Sequence, residues 1–175
     1  MDTQLIKFYL NEGPNVNGYY LDDMLSFDNQ QLMLAPNWID WLFPIEQTDS
    51  SLAATNLDND TITIMLTLPK IQQHIHASFF RMMSFYRLNI GDLSIKPWFV
   101  ANNSIHYKYL AQMLRSIRFI ENEGLMQKIL SVTLGDLYVK YSDDIGESWR
   151  KIWQDNALYH TAKLNKAPLT LTYAQ

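Results

Sequence analysis

Four histidines, no cysteine and a scatter of carboxylates set what chemistry this chain can support. Without cysteine, disulfides, thiol catalysis and thiolate metal sites are excluded together. His74 and His76 stand two apart on a segment with helical periodicity, so their side chains splay by about 200°. Zinc needs convergent ligands, so neither a metal nor any other cofactor is expected. His106 and His160 are isolated, and a lone histidine is ordinarily a hydrogen-bonded structural or surface group. The adjacent Asp22 and Asp23 diverge by about 100° on a helix and share no site. No nucleophile elbow, phosphate loop, dinucleotide fingerprint or His-Glu-x-x-His is present. One catalytic arrangement stays open, an uncharacterised enzyme using Asp40 and His106 as an acid–base pair in an aromatic cleft. It requires both side chains within hydrogen-bond reach of one substrate position and at least one titrating near neutrality.

The elements that must position these groups read as helices. With 175 residues, 47% of them apolar, the chain can fill one core, and a single domain over 1–175 is expected. Charged residues are sparse at 18% while aromatics reach 13% with eight methionines, which predicts an aromatic-rich interior. The net charge of −4 and the dispersed Lys and Arg give no attraction to phosphate backbones, so nucleic acid is not an expected partner. The start Met1-Asp2-Thr3-Gln4 lacks a signal peptide's basic charge, and no run approaches the ~20 apolar residues of a membrane span. A cytoplasmic protein is expected, export by another kind of signal being a separate matter.

In chain order, Leu5, Phe8 and Tyr9 share one helical face ahead of Asn11-Glu12-Gly13-Pro14, and Tyr20, Leu21 and Met24 are expected inside. Pro36 can open a helix and Pro44 cannot continue one. Between them Trp38, Trp41 and Leu42 fall on one stripe with Asp40 pointing away from Trp38. Ile71, Ile75, Phe79, Met82 and Tyr86, widened by Phe80 and Met83, mark a long core helix from Pro69 that ends near Asn89-Ile90-Gly91-Asp92. Leu110, Met113, Leu114, Ile117 and Ile120 line the next, after caps at Asn102-Asn103-Ser104. Past Gly124 a helix runs to about Tyr141. Asp144 and Glu147, at capping-box spacing, open the last one, with Ile145, Trp149, Ile152 and Trp153 inward. The stretch Thr61-Ile62-Thr63-Ile64-Met65-Leu66-Thr67-Leu68 alternates like a strand and has a potential partner in 169–173.

Three blocks in fixed order carry a family likeness. Trp38-Ile39-Asp40-Trp41-Leu42-Phe43-Pro44, Arg81-Met82-Met83-Ser84-Phe85-Tyr86, and Leu110 to Leu125 with Met113-Leu114-Arg115-Ser116-Ile117 and Glu123-Gly124-Leu125 resemble the conserved region of the opioid growth factor receptor family. The polar set departs from it. Ala35 and Pro36 stand where the family usually has Asn-His, and Tyr109 and Gln112 where it tends to carry arginines. The resemblance implies a helix, not a strand, over 61–68, capped by Asp58 or Asp60. The expectation is therefore an all-α bundle of about six to eight helices, with minor β pairing at 61–68 and 169–173 as the alternative. It also implies a non-catalytic binding domain whose aromatic-rich surface engages a peptide or protein partner. The residues expected to bind are Asn37, Trp38 and Asp40 with Asn103, His106 and Arg115, given that the two helix starts lie side by side.

Overall fold

A computed structural model describes residues 3–46, 53–89 and 92–164. Its first helix, α1 (Gln4–Tyr9), is capped by Thr3, whose Oγ1 accepts from the Ile6 N–H at 3.3 Å. It ends on Asn11 in the left-handed region, with Glu12 N–H bonded back to Lys7 O and Asn11 N–H to Phe8 O, a Schellman closure. Three short helices follow: α2 (Leu21–Ser26), α3 (Asn29–Leu34) and α4 (Trp38–Leu42). Asp28 and Gln31 form a reciprocal capping box at the start of α3. Ala53–Thr55 makes one 3₁₀ turn before α5 (Asn59–Thr67).

The strand-like stretch is helical as far as Thr67. Asp58 accepts from the Thr61 N–H at 2.7 Å and thereby fixes the helix start, while Met65 and Thr61 are buried. Residues 169–173 lie outside the described residues. The remaining helices are α6 (Pro69–Phe85), α7 (His106–Ile120), α8 (Leu125–Ile145) and α9 (Glu147–Leu164). Among the described residues there are nine α-helices and no strand, only an isolated bridge between Asn89 and Asp92. The number exceeds expectation because residues 21–42 break into three.

α7, α8 and α9 pack mutually, while α6 runs against α1, α2, α5 and α7, so α7 joins the two halves. The buried apolar side chains form one continuous cluster. Trp41 is sealed at its centre, with its ring 5.1 Å from Phe8. Tyr9 reaches Leu42 O at 2.6 Å, and burial drives its phenol far above the usual range. On the other half, Trp153 Nε1 donates to Tyr107 O at 3.0 Å and ties α9 to α7.

Some expected core positions are exposed instead. Tyr20 sits at the N-cap of α2, outside the helix proper, and Phe80 and Ile152 lie on the outer flanks of α6 and α9. The Asp144/Glu147 box does not form. Asp144 pairs with Lys96 at 2.7 Å, Glu147 takes Arg150 and Tyr138, and Gly146 with φ 81° makes the joint.

Candidate functional site

Pro36 and Asn37 turn the chain out of α3 into α4, and Asn37 takes a left-handed backbone (φ 54°) that few non-glycine residues tolerate as well as asparagine. The next residue, Trp38, is 6% exposed, its ring held between Phe85 at 5.7 Å and Tyr109 at 5.4 Å. A helix as short as α4 leaves its last carbonyls without internal partners. Gln112 of α7 supplies one: its Nε2 donates to Phe43 O at 3.0 Å and to Asp40 Oδ1 at 2.9 Å. The two helices thus enclose a cavity of about 380 Å³ lined by Asn37, Trp38 and Asp40 on one side and Lys108, Tyr109 and Gln112 on the other. Met33 and Leu34, both exposed, form its apolar rim.

His106 stands next to this cavity inside an aromatic cluster. Its ring lies 4.7 Å from Trp98 and 5.6 Å from both Tyr86 and Tyr109. Burial pushes the imidazole below its usual value and the Tyr86 phenol well above its own. The Tyr86 hydroxyl and His106 Nδ1 share a hydrogen bond of 3.3 Å, whose donor is set by the imidazole tautomer.

The structure brings Asn37, Trp38 and Asp40 to one cavity and links His106 to them through the Tyr109 ring. It does not bring the other two. Arg115 lies further along α7 and pairs with Glu46 at 2.8 Å, and Asn103 occupies an exposed left-handed turn ahead of α7. Asp40 bonds Gln112 while His106 faces Tyr86, so the two groups of the acid–base arrangement have different partners. Sequence reasoning missed Lys108, Tyr109 and Gln112 as cavity residues. The one signal available was the resemblance, which sets Tyr109 and Gln112 where that family tends to carry arginines.

His74 is occupied structurally, its Nδ1 2.5 Å from Tyr9 O, and the side chain of His160 lies outside those described. Among the described residues no group of three histidines or carboxylates could hold a metal ion, and no helix is long and apolar enough to cross a membrane.

The family model of the opioid growth factor receptor (OGFr) conserved region matches residues 1–105. That span holds the first two sequence blocks, whereas Tyr109 and the third block, with Gln112, follow it. No curated protein and no solved structure matches the chain. With well over half its length covered, the chain belongs to the opioid growth factor receptor conserved-region family.

Proposed function

We propose that this protein is a non-catalytic recognition domain that binds a short peptide, or a peptide segment of a protein partner, in the cavity between α4 and α7. One observation carries the reading: three residues singled out from sequence converge there with Tyr109, beneath a rim of exposed Met33 and Leu34. A concave site with apolar walls and a few placed polar groups is the usual form of a ligand pocket. An apolar side chain of the peptide would lie over Leu34 and the Tyr109 ring. Its backbone amides would bond Asn37 and Gln112, and its charges would meet Asp40 and Lys108, which has no ion-pair partner among the described residues. Family membership points to recognition, and the setting proposed is the cytoplasm.

The test is a peptide panel titrated against intrinsic tryptophan fluorescence. The expected result is a saturable change from at least one peptide that disappears in Trp38→Phe, with affinity reduced about tenfold or more in Tyr109→Ala, as for an aromatic anchor. A panel with no response, or a response unaltered in both variants, would overturn the proposal.

A further inference from the structure

Independently of that cavity, the outer face of α8 carries a pattern that packing among the described residues leaves unused. Leu125, Val132 and Val139 are spaced by seven residues and are 53%, 57% and 81% exposed. A seven-residue apolar repeat on a helix is the signature of a seam against another helix. Lys128 and Asp136 lie on the same exposed stripe. They are eight residues apart, about 12 Å along the axis, too far to pair with each other. Neither has an ion-pair partner among the described residues.

These five positions form a palindrome. From Leu125 to Val139 the order is apolar, cation, apolar, anion, apolar, with steps of three, four, four and three residues. A two-fold axis through Val132 therefore sets Leu125 against Val139 of an antiparallel second copy, and Lys128 against its Asp136, each contact made twice. Such a surface is complementary to itself, as two-fold association requires. The parallel alternative in register would set Lys128 against Lys128 and Asp136 against Asp136, and like charges so placed repel. Gly135 would face Ile129 across the axis. Nothing lies within 4 Å of the Cβ that Gly135 lacks, which leaves room for the larger side chain. The only break in α8, at Tyr141 with φ −130°, comes after Val139, so the seam is a straight helix of about 21 Å.

We infer that this face is a homodimer interface in which α8 pairs antiparallel with α8 of a second copy about Val132. A seam of this length is small, so association is concentration-dependent.

Sedimentation equilibrium of the full chain up to about 200 µM, a range suited to small interfaces, tests it. The expected result is a monomer–dimer equilibrium, weakened about tenfold or more by Lys128→Glu and restored in Lys128→Glu with Asp136→Lys, because the charge pairs are re-formed with opposite sense. These positions are exposed, and an unchanged circular dichroism spectrum identifies loss of association as separate from loss of fold. The absence of native cysteine adds a geometric check. Under oxidation Val132→Cys should cross-link to itself. Leu125→Cys should not, but should cross-link when mixed with Val139→Cys, since only an antiparallel pair brings those Cβ atoms within disulfide range. A wild-type chain that stays monomeric, an association indifferent to the charge reversals, or self-linkage of Leu125→Cys would each overturn the inference.

Discussion

Gln72 is a single buried amide on which three chain segments depend. Its Nε2 donates to Met65 O and to Ile120 O, both at 2.7 Å, and its Oε1 accepts from the Asn122 N–H at 3.2 Å. It thus closes the ends of α5 and α7 onto α6. Gln72→Leu keeps the size but strips partners from two buried carbonyls and a half-buried N–H. A loss of about 3 kcal/mol in urea unfolding is expected, since each stranded polar group costs ~1–3 kcal/mol. Nothing local in the sequence distinguishes Gln72 from the chain's other glutamines, because two of its three partners lie 48 and 50 residues away. The candidate site was legible only as far as it was local. Asn37, Trp38 and Asp40 stand together at the start of one short helix and line one cavity. His106 and Arg115 are nine residues apart on α7, and at 100° per residue that is half a turn of the helix. They point in opposite directions, and Tyr109 and Gln112 between them take the contacts with α4.

The ends of the helices hold most of the discrepancies at the scale of elements. A glycine was expected to stop α6, yet the stop is Arg87, with φ 52°. Leu88 N–H bonds Met83 O at 2.9 Å and Arg87 N–H bonds Ser84 O at 3.0 Å, while the buried Leu88 supplies the apolar contact. The Schellman geometry is therefore complete without the residue that favours it. A left-handed conformation costs an L-residue about 1 kcal/mol, and the exposed Arg87 side chain has no bonding partner among the described residues to offset it. Arg87→Gly should therefore raise the unfolding free energy by up to about 1 kcal/mol, measurable as a shifted denaturant midpoint at constant m-value. The long helices were legible for the opposite reason. In α7 every expected inner residue, Leu110, Met113, Leu114, Ile117 and Ile120, is fully buried, because fifteen residues give the apolar period time to declare itself. Between Leu21 and Leu42 each helix has five or six residues, too few for a period, and there only caps and prolines speak.

For the molecule as a whole, the all-α class was readable because apolar stripes at helical spacing cover most of the chain, and their burial unites both halves across α7. The aromatic cluster at that junction makes global stability respond to pH. His106 faces Phe85, Tyr86, Trp98, Phe99 and Tyr109, and none of these rings offers an anion to an imidazolium. Its folded pKa is lowered by burial, so the unfolded chain takes up the proton first. The resulting contribution is whole above the unfolded value of about 6.5 and is lost as pH falls through that value toward the folded one. Melting temperatures recorded between about pH 7 and pH 5, above the main carboxylate range, should fall for the wild type and stay flatter for His106→Gln. Equal slopes for the two proteins would remove His106 as the cause. The uncharged run from Thr61 to Leu68, rich in β-branched residues, carries a different liability. Its composition is what cross-β fibrils select, and Asp58 and Asp60 on one side with Pro69 and Lys70 on the other stand as gatekeepers. The cap on α5 thus guards against misassembly as well as shaping the fold: any opening that frees this segment releases a nucleus for aggregation.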